Sequence, residues 1–115
     1  MRHLHLRART DTAVVPDIFI MPAERGRSET SRASVTADGQ FSCRSWSVAT
    51  HGRAVALASA CMWRHEKMSS KHPFYRVLYP TWAHLYAEAA KTLPALAGRA
   101  ESVETLARAA LRGAR

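Results

Sequence analysis

The sequence predicts an α+β fold: a small three-stranded antiparallel sheet packed on one helix, followed by a helical C-terminal extension. Three observations carry that expectation. Two alternating segments flank Asp38-Gly39, a pair that tolerates positive φ at both centres of a type I′ hairpin turn. After His51-Gly52 the apolar period switches from two to about 3.6. Two more apolar stripes at helical spacing then follow, one from Trp82 and one from Val103.

The elements follow in order. Residues 1–14 read as a flexible basic arm. Asp17-Ile18-Phe19-Ile20-Met21 is a short apolar run ending at Pro22, compatible with a first strand. Residues 23–29 are charged, contain Gly26 and read as a loop. Thr30 to Ala37 alternates cleanly, with Ala33, Val35 and Ala37 on one face and Arg32, Ser34 and Thr36 on the other. Phe41 to Val48 is the third strand, with Trp46 expected in the core. Arg53 to Met68 is the first helix, its buried side carrying Ala54, Leu57, Ala58, Cys61, His65 and Met68. These elements make one domain over residues 15–70, and its sheet–helix interface should be Val35, Trp46, Val48, Leu57, Ala58 and Cys61. Residues 71–115 form the helical extension. Thr81 is placed as an N-cap, Trp82, Leu85, Tyr86, Ala89 and Leu93 share a stripe, and Pro94 with Gly98 breaks the helix. Val103, Leu106, Ala107, Ala110 and Leu111 mark a last helix of about three turns.

Composition narrows the function classes. The chain has 115 residues, enough for one domain but not for two ordinary ones. Its apolar content is 47%, within the globular range, but much of it is alanine, so the core should be thin. Formal net charge is +8, with 17 basic residues, most of them arginine. Arginine forks onto phosphate and guanine edges better than lysine does. A GC-rich genome enriches arginine and alanine in the same way. Two cysteines are too few for a disulfide framework. The first residues are polar and basic, and no run approaches the length of a membrane span. A cytoplasmic protein with reduced thiols is expected.

Catalytic and metal chemistry find little support. The nine acidic residues are scattered, without a paired-carboxylate or nucleophile–base constellation. His3 and His5 with Cys43 or Cys61 have no structural-zinc spacing. His65 falls at a buried helical position and reads as a core residue. No catalytic residue, metal or cofactor is expected. The densest aromatic cluster is Pro73-Phe74-Tyr75-Arg76-Val77-Leu78-Tyr79-Pro80 with Trp82. It reads as a linker strand or turn packed on the core. Its alternative is a partner or homodimer surface through Phe74, Tyr75, Tyr79 and Trp82, since such residues are enriched at interface hot spots.

The order strand, strand, hairpin turn, strand, helix resembles the apetala-two/ethylene-response-factor (AP-two/ERF) DNA-binding domain. Relatives of that domain occur in mobile-element integrases and endonucleases. The resemblance covers residues 17–68. It rests on Arg32-Ala33 leading into Ser34-Val35, Asp38-Gly39-Gln40 at the turn, Trp46-Ser47-Val48, His51-Gly52, and then Ala54, Leu57, Ala58 and Arg64. The sequence departs from the family at Ser31, where tryptophan is usual, and at Thr50, where lysine is usual; a glycine before the first strand is absent. The resemblance implies a sheet laid in the major groove, its outward arginines on phosphates and bases. Carried onto this chain, the DNA-binding residues would be Arg25, Arg27, Arg32, Ser34 and Arg44. Arg44 needs a bulge before Trp46 to reach that face. The implied function is a non-catalytic double-stranded DNA-binding module of phage or mobile-element origin. The alternative is a small interaction or inhibitor factor docking on a protein partner without DNA binding.

Overall fold

The chain folds into an antiparallel sheet covered on one side by helices. The computed structural model describes residues 12–15, 17–21, 23, 26, 28–91 and 100–113. Strands β1 (Thr12–Val15), β2 (Ile18–Met21), β3 (Thr30–Ala37) and β4 (Gln40–Ser47) pair in that order as an antiparallel meander. The α+β class and the three strands expected from the sequence are present. One strand adds to them. β1 occupies residues assigned in part to the basic arm, and Val15 pairs with Ile18 across a tight turn at Asp17. Asp17 sits at φ +64°, which aspartate tolerates better than most residues.

The β3–β4 hairpin forms as the sequence predicts. Asp38 and Gly39 take φ +54° and +75°, the type I′ pattern. Its register runs unbroken from Thr30↔Ser47 to Ala37↔Gln40. Parity then fixes every side chain of these strands. Ser31, Ala33 and Val35 are buried beneath the helices, and Trp46 is buried opposite Ser31.

Helix α1 (Val48–His51) is a single turn at the end of β4, so Val48 leaves the third strand and begins a helix. The Ser47 hydroxyl accepts from the Thr50 N–H at 3.2 Å, which caps that turn. Gly52, at φ +86°, separates it from α2 (Arg53–Lys71). Every residue of α2 from Val55 to His65 is buried. A one-sided stripe was expected; α2 is instead the central helix, with the sheet beneath it and helices packed beside it. Small residues at Ala56, Ala58, Ser59 and Ala60 let those neighbours approach closely. The Ser59 hydroxyl donates to the Val55 carbonyl at 2.8 Å.

The extension contains α3 (Tyr75–Leu78), α4 (Trp82–Lys91) and α5 (Ala100–Gly113). Leu85, Tyr86 and Ala89 of α4 and Ala107 and Ala110 of α5 complete the core. The break expected at Pro94 and Gly98 lies outside the described residues, as does Leu93. Val35, Trp46, Leu57, Ala58 and Cys61 are buried as expected; Val48 is partly buried against them. No helix among the described residues is long and apolar enough to cross a membrane.

A candidate nucleic-acid interface

The residues proposed for DNA contact do not share one face. Arg32 alternates with Ser31 and Ala33, so it lies on the side of the sheet away from α2. It is half-buried there, and its Nε has no partner among the described residues. Ser34 shares that parity but is only 6% exposed. Its N–H donates to the Asp17 carbonyl at 3.0 Å, and its carbonyl accepts from the Arg64 guanidinium. β2 begins only at Ile18, so beyond it the β3 edge is met by the Asp17 carbonyl and the Arg64 guanidinium. Ser34 therefore offers little surface to a ligand. Arg25 and Arg27 lie outside the described residues.

Arg44 requires the clearest correction. The bulge expected between Arg44 and Trp46 does not form, because the β3–β4 register is continuous there. Arg44 accordingly stays on the face of Trp46. Its guanidinium lies 4.9 Å from the indole centroid, and Nη2 donates to the Leu111 carbonyl at 3.1 Å. That carbonyl belongs to the last turn of α5, where the helix dipole favours a cation. Arg44 ties β4 to α5.

Arg64, which matches the resembled family's helix spacing, is likewise a fastener. It is buried, it bonds the Ser34 carbonyl, and its Nη2 lies 3.4 Å from the Asp17 carboxylate. The Tyr75 ring lies 6.0 Å from its Cζ. Burial pushes the Tyr75 phenol above its ordinary pKa, and the Arg64 charge opposes that rise.

The structure gathers a different set of cations. A cleft of about 500 Å³ opens between β4, α2 and α5. Arg44, Lys67, Arg108 and Arg112 line it with Trp63, Glu66, Ser70 and Leu111. Lys67 Nζ sits 5.9 Å from the Trp63 ring centroid, and Arg108 pairs with Glu104 at 3.0 Å. Arg44, Lys67 and Arg112 have no carboxylate partner among the described residues. Arg108 and Arg112 are one helical turn apart, so they present their charges on one side of α5. A second hollow, lined by Val35, Asp38, Gln40 and Ser42, shares Lys67 and Ser70 with the cleft and continues to Lys71. Lys71 is engaged there by Asp38 at 2.9 Å, which holds that carboxyl below its ordinary pKa.

No family model matches this chain, and neither the curated proteins nor the solved structures give a match to it. Nothing in these comparisons bears on the resemblance to the AP-two/ERF domain.

The aromatic cluster also divides. Phe74 is exposed, whereas Tyr75 turns inward against His65, with ring centroids 5.6 Å apart. Tyr79 and Trp82 pack partly buried against the core. Of the four, Phe74 alone is exposed, Tyr79 and Trp82 are half-buried, and Tyr75 is buried. Among the described residues, no three His, Cys, Asp or Glu side chains gather as a metal ion would require. Sequence reading missed the cleft because Lys67, Arg108 and Arg112 come from helices far apart in the chain. The one local signal was the Arg108/Arg112 pair at i, i+4.

Proposed function

We propose that this chain is a cytoplasmic, non-catalytic module that binds double-stranded DNA mainly through its phosphates. The carrying observation is the convergence of Arg44, Lys67, Arg108 and Arg112 on one open cleft. A net charge of +8 would draw the duplex towards it. Sites of this kind gain affinity by releasing condensed counterions, and they carry little base preference of their own. Base reading by Arg25, Arg27 and Arg32 belongs to the resemblance; Arg32 lies on the opposite side of the sheet, so it would need a contact separate from the cleft. Origin in a phage or mobile element belongs to the same proposal and rests on the resemblance alone.

Fluorescence anisotropy with a random duplex over a salt series tests this reading. Four neutralised phosphates give a log-log slope of roughly −3 to −4. Replacing Lys67 and Arg112 together with alanine should flatten that slope by about two units. Both residues are exposed, so the fold should survive. Arg32→Ala should leave the slope within about one unit of wild type. Absence of duplex affinity at low salt would sink the proposal.

A further inference from the structure

The cations of the cleft differ in how firmly they are held. Arg44 is half-buried, with the Trp46 indole 4.9 Å from its guanidinium and the Leu111 carbonyl accepting from Nη2. That bond uses one N–H of a group that carries five, so Arg44 keeps donors for a ligand. Lys67, Arg108 and Arg112 are exposed around it. One donor is therefore fixed in advance, and three others can close on what it holds.

Size limits what can enter. A volume of about 500 Å³ falls in the range of small-molecule sites and admits a single nucleotide unit. A duplex flank is a convex cylinder, so its phosphates meet the exposed cations at the mouth and stop there. A phosphate at a strand end, or on a free nucleotide, projects from its sugar and can enter. Trp63 and Leu111 give the lining an apolar part, suited to the carbon face of that sugar.

Charge selects the form of the phosphate. Four cations share the cleft with Glu66, and Arg108 is already paired with Glu104. Two positive charges are left uncompensated. A diester within a strand brings one negative charge. A phosphate monoester brings about −1.5 to −2 at pH 7, with three strong acceptor oxygens. The guanidinium forks of Arg44 and Arg112 and the ammonium of Lys67 match those three oxygens. Building on the reading of the cleft as a phosphate site, we infer that it selects a terminal phosphate monoester, with Arg44, Lys67 and Arg112 as ligands. A strand end and a free nucleotide both carry that group.

A hairpin duplex labelled in its loop has one open end, made with either a terminal phosphate or a terminal hydroxyl. Fluorescence anisotropy at fixed salt should show the phosphorylated hairpin binding at least about tenfold more tightly, the low end of one charge-assisted hydrogen bond. Lys67→Ala/Arg112→Ala should abolish that preference. Arg76→Ala/Lys91→Ala removes as much charge outside the cleft and should keep it. Circular dichroism should give both double variants the wild-type spectrum, as all four side chains are exposed. Without DNA, thymidine monophosphate should change the tryptophan fluorescence, since Trp63 lines the cleft, and thymidine should not. A hairpin preference assigns the site to strand ends; a nucleotide response without that preference assigns it to free nucleotides. Neither a preference nor a response at about 1 mM nucleotide overturns the inference, and the duplex reading then stands if its salt slope persists. A preference that survives Lys67→Ala/Arg112→Ala overturns it as well. A nucleotide response without duplex affinity sustains it and sinks the duplex reading.

Discussion

Arg64 is the most heavily committed polar side chain in the fold, and its replacement tests how the sheet edge is closed. Arg64→Met keeps most of the aliphatic stem but removes the guanidinium. The Ser34 carbonyl then loses its charged donor in a place water reaches poorly. A hydrogen bond to a charged group contributes about 1.5–3 kcal/mol. The contact with Asp17 is worth less, since that carboxylate is 55% exposed and the N···O distance is 3.4 Å. Exposed pairs of this kind contribute about 0.2–1 kcal/mol. Arg64→Met should therefore cost about 2–3 kcal/mol, and Asp17→Asn under about 1 kcal/mol. Urea unfolding of the two single variants and the double variant measures both costs and their coupling. The coupling should not exceed about 1 kcal/mol. Equal losses for Asp17→Asn and Arg64→Met would refute the assignment, because the ion pair rather than the carbonyl bond would then dominate.

Trp46→Ala removes a buried indole packed edge-on against Trp63, with centroids 6.3 Å apart; it should cost about 3–5 kcal/mol and unfold much of the population, read by near-ultraviolet circular dichroism. Gly39→Val should destabilise by about 1–3 kcal/mol in thermal melts, and the cost is purely conformational: an added Cβ meets nothing within 4 Å, but φ is +75°. Gly39→Asn should cost much less, since asparagine tolerates that region. Native protein should react rapidly with a thiol reagent at Cys43 alone, because Cys43 is exposed while Cys61 is buried and burial pushes its thiol well above the ordinary range. Denaturation should release the second equivalent, and a Cys61 that reacts in the native state would contradict the packing of α2.

What the sequence could and could not reveal follows from the range of each interaction. The Asp38-Gly39 turn was legible because its chemistry is local to the two residues that adopt positive φ. The buried face of β3 was legible because alternation at Ala33 and Val35 is a nearest-neighbour pattern. β1 escaped because Thr12–Val15 directly follows a basic polar run, and its turn uses Asp17 at positive φ without a glycine. Arg44 escaped for a different reason. Strict parity already placed it beside Trp46, and the bulge invoked to free it answered to the resemblance rather than to a residue in the strand. The all-round burial of α2 was hidden because alanine and serine serve equally at exposed and buried helical positions. Arg64 and His65 are buried only because β3, the Asp17 turn and Tyr79 supply their partners from elsewhere in the chain. The cleft was least legible, as its walls come from β4, α2 and α5 and no short window holds more than two of its cations.

If the cleft binds as proposed, the position of Arg44 would make binding and folding only partly separable. Its guanidinium stacks on a core indole and donates to the end of α5, so it helps hold the wall that carries Arg108 and Arg112. Loss of its charge and loss of the cleft's shape would therefore coincide. Lys67 and Arg112 stand apart from that framework, without carboxylate partners among the described residues. A screened, exposed charge adds little to folding but adds a counterion-release term to any polyanion it meets. The cleft thus combines one cation built into the fold with others held loosely at its rim. On the proposed function, the first would set where the site is, and the others how strongly salt acts on it.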